Sequence, residues 1–208
     1  MNGELEVFDC EQGMDEWFAA RCGVITASEF ATVLAKGRSG GESVTRRKYL
    51  LTLAYERIAG EVAEKWEGNR HTERGKIMEE EARLAYSFRA DVEPQQIGFM
   101  RRLNIGASPD SLIGEDGLLE IKTKLPHLQL DVLEKNRLPP EHVAQVQGQI
   151  LVSGRMWCDF VSYWPGLPLF VTRVQRDGEY IGKLSDALVE FDREINDYVH
   201  RFGAVIRS

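Results

Sequence analysis

The first 90 residues carry apolar side chains at the three- and four-residue spacing that is typical of amphipathic helices. Thr26 and Glu29 form a capping-box pattern, which predicts that a helix begins with Thr26 as its N-cap. Ser43 and Gly60 are the expected N-cap and C-cap of a second helix. A third helix is predicted from about residue 72 to residue 89, with an inward face formed by Ile77, Ala82, Leu84, Ala85 and Phe88.

After about residue 95 the pattern changes to short apolar runs separated by turn residues, as expected for strands. Glu115-Asp116-Gly117 is a hairpin signal, and Leu118–Thr123 is the predicted returning strand. Further strands are predicted at about 96–103, 158–164 and 169–174, and helices at about 140–153 and 180–202. These elements together predict a mixed α/β domain, in which helices flank a central sheet of about five strands.

The chain has 208 residues, of which 43% are hydrophobic, and this size suits one domain with a substantial core. We therefore expect a single domain over 1–208. Its parts are expected to be a helical region at about 14–90, a sheet core at about 95–175 and a C-terminal helix at about 178–203. The sequence contains no apolar run of about 18 residues, so no membrane association is expected.

Three observations narrow the cellular setting and the class of partner. Met1–Gln12 is acidic and does not have the pattern of a secretory signal. Cys10, Cys22 and Cys158 lie too far apart in sequence for a metal-binding pair, which is typical of a cytoplasmic protein. The net charge of −7 argues against non-specific coating of DNA, although it does not exclude an enzyme that binds DNA in a basic cleft.

The candidate chemistry lies at Ser108-Pro109-Asp110 and at Glu120-Ile121-Lys122, ten residues further along. A hairpin would bring the Asp110 and Glu120 carboxylates together, and the carbonyl of Ile121 could add a third oxygen. Magnesium prefers such oxygen ligands and often binds one or two protein carboxylates together with water and phosphate. The sequence therefore predicts a Mg²⁺ site, with Mn²⁺ as a possible substitute.

Glu120 and Lys122 should share one face of the strand, because side chains alternate with a period of two. Lys122 would then stabilise negative charge on a phosphate in the transition state. An exposed Glu-x-Lys pair on a strand is also an ordinary surface feature, and this spacing alone leaves both interpretations open.

Four sequence blocks extend this picture: Trp17–Ser28, Gly75–Arg83, Ser108–Asp110 with Leu119–Lys122, and Ala144–Gln147. In this order they resemble the lambda-exonuclease family, also described as YqaJ-type viral recombinases, within the PD-(D/E)XK nuclease superfamily. The resemblance implies a restriction-endonuclease-like core. Ser111 is a departure, because the family often has glycine at this position, and the change should affect the turn more than the chemistry.

The resemblance also implies residue roles. Glu79 corresponds to a helix carboxylate near the metal ions, and Gln145 to a glutamine beside the catalytic lysine; Gln147, two residues on, is a weaker candidate. The implied catalytic residues are therefore Glu79, Asp110, Glu120, Lys122 and Gln145. The implied metal ligands are Glu79, Asp110, Glu120 and the carbonyl of Ile121.

Arg21 and Ser28 resemble the family's pocket for a 5′-terminal phosphate, and Ser108 could add another contact. Ser28 lies just inside the predicted helix N-terminus, where free amide groups favour an anion, although it could also be a simple capping serine. Arg38 resembles a basic residue that contacts the incoming duplex; a solvated loop residue is the other interpretation of this basic segment.

Taken together, the resemblance implies a Mg²⁺-dependent 5′-to-3′ exonuclease. Such an enzyme would act on linear double-stranded DNA and leave 3′ single-stranded overhangs for phage-type recombination. It also implies a ring-shaped homotrimer and a single-strand annealing protein as partner. Two alternatives remain: a restriction- or repair-type endonuclease with the same fold, and a non-catalytic DNA-binding subunit.

Overall fold

The computed structural model describes residues 3–37, 40–63 and 70–206, which form eight strands and seven α-helices. The strands are β1 (Leu5–Phe8), β2 (Ile25–Thr26), β3 (Phe99–Arg102), β4 (Ile105–Ala107), β5 (Ser111–Ile113), β6 (Gly117–Thr123), β7 (Trp157–Tyr163) and β8 (Phe170–Gln175). The helices are α1 (Asp15–Arg21), α2 (Phe30–Leu34), α3 (Val44–Ala59), α4 (Arg70–Ala90), α5 (Pro126–Lys135), α6 (Val143–Ser153) and α7 (Gly178–Ile206). Across these described ranges, no helix is long and apolar enough to cross a membrane.

The strands form two four-stranded sheets, with the orders β1-β3-β4-β2 and β5-β6-β7-β8. The mixed α/β class is confirmed, but the strands are divided between two sheets where one of about five was expected. The difference arises because β1 and β2 add to β3 and β4 as a separate sheet, and β2 is only two residues long. The chain passes from the first sheet to the second at Ser108-Pro109-Asp110, between β4 and β5.

The predicted hairpin is present as β5 and β6, with Ser111 paired to Leu119 and Ile113 to Gly117. On its other side β6 runs parallel to β7 along its whole length, so β6 is an inner strand. The pairing with β5 stops at Leu119, and residues 120–123 continue beyond it. This unpaired edge of an otherwise central strand lies at Glu120-Ile121-Lys122.

Helix α6 packs against both sheets, because it contacts β3 and β4 as well as β6 and β7. Gly148 lies directly against Phe30 of α2, and a Cβ at this position would come within 2.3 Å of the Phe30 ring. Only glycine allows this close approach. The helix is thereby fixed in the centre of the main core, with Val146 and Ile150 completely buried.

The two predicted helix starts have different outcomes. The Ser43 side chain accepts a hydrogen bond from Arg46 N, and Gly60 adopts a left-handed φ of 74° at the C-cap, so both predicted caps of α3 are confirmed. The capping box at Thr26 is wrong, because Thr26 makes no side-chain cap hydrogen bond, and a 3₁₀ turn over Ala27–Glu29 separates it from the start of α2. The Thr26 hydroxyl instead lies 3.3 Å from the Ser28 hydroxyl.

Helix α4 is present, but most of its predicted inward face is wrong. Ile77, Leu84 and Phe88 are 62%, 66% and 93% exposed, and Ala85 is also exposed. The side chains that are buried instead are Met78, Ala82 and Tyr86. Tyr86 determines this orientation, because its hydroxyl donates a 2.7 Å hydrogen bond to the buried Asp159 carboxylate on β7.

Replacing Tyr86 with phenylalanine should reduce the free energy of unfolding by about 1–3 kcal/mol, because the buried Asp159 carboxylate loses a charge-assisted hydrogen bond and keeps only its contacts with Arg173. Urea denaturation would measure this change. Tyr163→Phe is a matched control, because the Tyr163 hydroxyl also joins β7 to α4, but through a solvent-exposed 3.1 Å contact with Glu81. Tyr163→Phe should lower the free energy of unfolding by less than about 0.5 kcal/mol. Equal losses in the two variants would contradict this account of α4.

Candidate active site

Glu120 and Lys122 lie on one face of β6 and form an ion pair, with Lys122 Nζ 2.6 Å from Glu120 Oε1. Ile121 points to the opposite face, where it packs in a cluster with Ala82 and Tyr86. Glu120 is only 2% exposed, so this carboxylate is part of the protein interior. Burial alone would lower the pKa of Lys122, but the Glu120 carboxylate raises it above its ordinary value.

Asp110 lies next to these residues, immediately before β5. Its backbone N–H donates to the Leu119 carbonyl at 3.0 Å, and its Oδ2 accepts a short hydrogen bond from Ile121 N. The Asp110 side chain therefore occupies the edge of β6 beyond the last β5 pair. The structure thus brings the Asp110 and Glu120 carboxylates together, as the hairpin predicts.

The charge state of Asp110 reflects this crowding. Loss of hydration raises its pKa well above the usual range, and the neighbouring carboxylates of Glu120 and Glu79 raise it further. The hydrogen bond from Ile121 N and the charge of Lys122 oppose these effects in part. A carboxylate whose charge is disfavoured by two neighbouring carboxylates lies in an environment that favours a cation.

The carbonyl of Ile121 is placed where the sequence predicts a third oxygen donor. In a strand, the N–H and C=O groups of one residue point to the same neighbouring strand. Because the Ile121 N–H points to Asp110, its carbonyl also faces the edge beyond β5.

Glu79 reaches the site from α4 and is held there by Arg83. Arg83 Nη2 donates to Glu79 Oε1 at 2.5 Å, and Arg83 Nε donates to the Ser111 hydroxyl at 3.1 Å. The same hydroxyl donates to the Asp110 carbonyl at 2.5 Å. Ser111 therefore has a bridging role that a glycine at this position could not supply, and it connects α4 to the hairpin.

Two glutamines of α6 hold Glu120 from the opposite side. Gln145 Nε2 donates to Glu120 Oε1 at 2.6 Å. Lys122 is paired with the same oxygen, so Gln145 lies beside the lysine, as the resemblance implies. Gln149 Nε2 donates to Glu120 Oε2 at 2.5 Å, a contact that the sequence analysis missed. The spacing of four residues, one helical turn, is the signal that could have identified Gln149. Gln147 does not take part, because its amide binds the Gln175 carbonyl and the Asp177 N–H.

Two of the predicted phosphate-binding residues are in direct contact. Arg21 Nη1 donates to the Ser108 hydroxyl at 3.4 Å, and Trp17 Nε1 donates to the same oxygen at 3.0 Å. The Arg21 guanidinium lies over the Trp17 ring, 4.0 Å from its centre. Ser28 lines the same cavity as Arg21, a space of about 480 Å³. Burial lowers the pKa of Arg21, because a charged group loses its hydration there.

The turn after α1 fixes the position of Arg21. Gly23 has a φ of 68°, a left-handed conformation that favours glycine. Its N–H donates to Glu56 at 2.8 Å, and its carbonyl accepts from Arg57 Nε at 2.8 Å. Both partners are in α3, so this helix holds the turn that carries Arg21.

The Arg21 cavity adjoins a second cavity of about 540 Å³, which is lined by Glu79 and Asp110. Gln12 and Lys76 line both, so the candidate phosphate pocket and the carboxylate cluster share a wall. Arg38, the predicted contact to the duplex, lies outside the described residues.

The donor set fits magnesium. Asp110 and Glu120 supply carboxylates, Ile121 supplies a carbonyl and Glu79 supplies a further carboxylate, all of them the hard oxygen donors that Mg²⁺ prefers. Within the described ranges, however, no three His, Cys, Asp or Glu side chains are grouped as a ready-formed metal site. The reason is visible in the contacts: Glu120 is bound to Lys122 and Gln145, and Glu79 is turned towards Arg83.

The chain is similar to a known protein family and to several solved structures. Residues 16–156 match the model of the YqaJ-like viral recombinase domain. The crystal structure of an alkaline exonuclease, LHK-Exo from Laribacter hongkongensis, has a TM-score of 0.77 and 33% identity, over 93% of this chain and 100% of that one. LHK-Exo in complex with dAMP has a TM-score of 0.78 and 31% identity, over 92% and 100% of the two chains.

A more distant structure shares the fold. The phage related exonuclease from Haemophilus somnus 129PT has a TM-score of 0.63 and 14% identity, over 86% of this chain and 96% of that chain. No curated protein sequence matches the chain significantly.

Replacing Asp110 with asparagine should raise the thermal midpoint of the metal-free protein at neutral pH, because the folded state no longer holds this crowded charge. The pKa of Asp110 is raised on folding, so its charge destabilises the folded state above that pKa. The advantage of the variant should therefore narrow as the pH falls from the raised pKa of Asp110 towards the ordinary value of 3.8, and it should disappear below that value, where Asp110 is protonated in both states.

Thermal melts in EDTA across this pH range would measure the difference. Glu93→Gln removes one exposed negative charge and should shift the midpoint little. Added Mg²⁺ should stabilise the wild type more than the Asp110 variant, since only the wild type keeps this ligand. If Asp110→Asn has a lower thermal midpoint than the wild type in EDTA at neutral pH, the claim that the Asp110 charge destabilises the metal-free folded state is refuted.

Proposed function

The chain belongs to the lambda-exonuclease family of YqaJ-like viral recombinases and is a nuclease, and we propose that it is a Mg²⁺-dependent 5′-to-3′ exonuclease. Its substrate would be linear double-stranded DNA, of which it digests one strand to leave a 3′ single-stranded overhang. One observation carries this proposal: Asp110, Glu120 and Lys122 meet at the unpaired edge of β6, beside the cavity that contains Arg21. Hydrolytic groups and an anion site thus adjoin one another.

The carboxylate side of the site would hold the metal ion through Asp110, Glu120, the Ile121 carbonyl and Glu79, with Mn²⁺ as a possible substitute. When bound, such an ion supplies charge neutralisation at the scissile phosphate and activation of water. Lys122 is the residue that would stabilise negative charge on that phosphate. Gln145 holds Glu120 in place and lies beside Lys122, where its amide could also orient water or phosphate.

The Arg21 side of the site would select the DNA end. A guanidinium binds phosphate through paired hydrogen bonds, and the hydroxyls of Ser28 and Ser108 supply further donors. Arg21 donates to a neutral serine hydroxyl and is partly removed from water, and an anion in this cavity would add to the compensation of its charge by Glu29 and Glu56. A 5′-terminal phosphate would then hold the strand end next to the carboxylates.

A chain with a net charge of −7 needs more than general attraction to stay on DNA. We propose that it forms a ring-shaped homotrimer that encloses the duplex. The 3′ overhang would be passed to a single-strand annealing protein of the phage type for recombination. Both points rest on the family resemblance, and a solution mass of three chains would test the first.

A digestion time course tests the proposed polarity and end selection. Linear duplexes with 5′-phosphate ends should be degraded in Mg²⁺ and not in EDTA, while 5′-hydroxyl ends should be degraded more slowly. Arg21→Gln should remove most of this preference, because the fork that binds the phosphate is lost. Arg193→Gln is a matched control, because Arg193 lies on the exposed face of α7 and pairs with Glu190.

The same assay separates the alternatives. Covalently closed circular DNA should remain intact, and cleavage of circles would favour an endonuclease. DNA binding without cleavage of any substrate in Mg²⁺ or Mn²⁺ would favour a non-catalytic subunit. Digestion from 3′ ends would reject the proposed polarity.

Replacing Lys122 with alanine should lower the cleavage rate by about 10²–10³, the usual effect of removing one group that stabilises charge in the transition state. Binding of a labelled duplex in Ca²⁺ should change little. Lys183→Ala on the exposed part of α7 should leave both properties unchanged. Full activity of the Lys122 variant would refute its assigned role.

A further inference from the structure

We propose that Gln149 is a positioning residue that holds the Glu120 carboxylate in the orientation needed to bind the divalent cation. Gln149 and Gln145 lie on consecutive turns of α6, and each donates to a different oxygen of Glu120, at 2.5 Å and 2.6 Å. Two donors on one rigid helix prevent the carboxylate from rotating about its last bond. This inference rests on the proposed function, because it concerns a cation bound by Glu120.

The direction of the Gln149 amide is determined by its surroundings. Gln149 is completely buried, and its Oε1 faces the Cys158 thiol at 3.9 Å, so Nε2 is the end that points to Glu120. In the reversed orientation, the Gln149 amide oxygen would face the Glu120 carboxylate oxygen. Both atoms are acceptors, so no hydrogen bond could form between them.

The helix that carries Gln149 cannot easily shift. Gly148, its neighbour in sequence, lies in close contact with Phe30, and the Ser153 hydroxyl donates to the Gln149 carbonyl at 2.7 Å. The distance from α6 to β6 is therefore fixed by core packing. A long amide side chain spans that distance, and a shorter one would not reach Glu120.

The hydrogen bonds also distinguish the two Glu120 oxygens. Oε1 accepts from Gln145 and is paired with Lys122, whereas the contact of Oε2 is with Gln149. A carboxylate oxygen accepts about two hydrogen bonds, so Oε2 keeps acceptor capacity for a cation. Gln149 thus aims the oxygen that we expect to bind metal.

The test measures metal binding without DNA. Mn²⁺ would be titrated calorimetrically into the full-length wild type, Gln149→Met and Gln149→Asn. Both variants should bind Mn²⁺ about 10–100-fold more weakly, the usual cost of losing a group that supports a metal ligand. The Mg²⁺ concentration for half-maximal DNA cleavage should rise by a similar factor, and the rate should recover at high Mg²⁺.

Gln147→Met is the matched control, because it removes the same buried amide from the same helix but faces the Gln175 carbonyl. It should lower the thermal midpoint without changing Mn²⁺ affinity. Gln149→Asn keeps a polar side chain and serves if the methionine variant does not fold.

The outcomes separate this inference from the proposed function. If the wild type binds Mn²⁺ and cleaves DNA while the Gln149 variants bind Mn²⁺ equally well, the positioning role is refuted and the proposed function stands. Equal weakening in Gln147→Met would also refute it, because the effect would then reflect general loosening of α6. A wild type that neither binds Mn²⁺ nor cleaves DNA would overturn both.

Discussion

The hydrogen bond from the Ile121 backbone to the Asp110 carboxylate is the contact on which the whole candidate site depends. It replaces the backbone pairing that β5 would have supplied had it extended past Leu119. A strand that loses its partner would ordinarily leave polar groups unsatisfied inside the protein. Here a side chain satisfies one of them, and so a carboxylate is held at the edge of an otherwise buried sheet.

This arrangement gathers like charges at a cost in stability. The charges of Glu120 and Glu79 disfavour ionisation of Asp110, and the rest of the structure offsets this effect locally. Lys122 and the α6 amides neutralise or solvate Glu120, and Arg83 pairs with Glu79. The cluster persists because its members belong to packed elements. Tyr86 holds α4 against β7, and the contact at Gly148 fixes α6.

Much of the fold follows from local sequence patterns, and the predictions that were wrong have physical causes. The caps at Ser43 and Gly60 and the hairpin at residues 115–117 depend on neighbouring residues alone, and all are present. The buried face of α4 depends on a tyrosine that pairs with Asp159, 73 positions away, and no helical periodicity contains that information. The division into two sheets likewise depends on β1 and β2, whose pairing is non-local.

In the candidate site, too, the features that depend on local sequence were predictable and those that depend on distant contacts were not. Alternation along β6 correctly places Glu120 and Lys122 together, and the hairpin brings Asp110 to them. The 3₁₀ turn at Ser28 and the role of Gln149 were not apparent, because both depend on how α2 and α6 pack. Sequence spacing can identify side chains that share one element. Contacts between elements require the packing itself.

The turn between the two sheets links the two halves of the site. Ser108 contacts Arg21, which lines one cavity, and Asp110 lines the next cavity, with Pro109 between the two residues in sequence. Two residues span at most about 7 Å, and proline removes one backbone freedom from that span. On the proposed assignment, Ser108 of the strand-end pocket and Asp110 of the carboxylate cluster therefore lie on one short, stiff segment. Such a segment fixes the distance from the bound end to the bond that is cut, and a fixed distance of this kind suits an enzyme that removes short units repeatedly from an end.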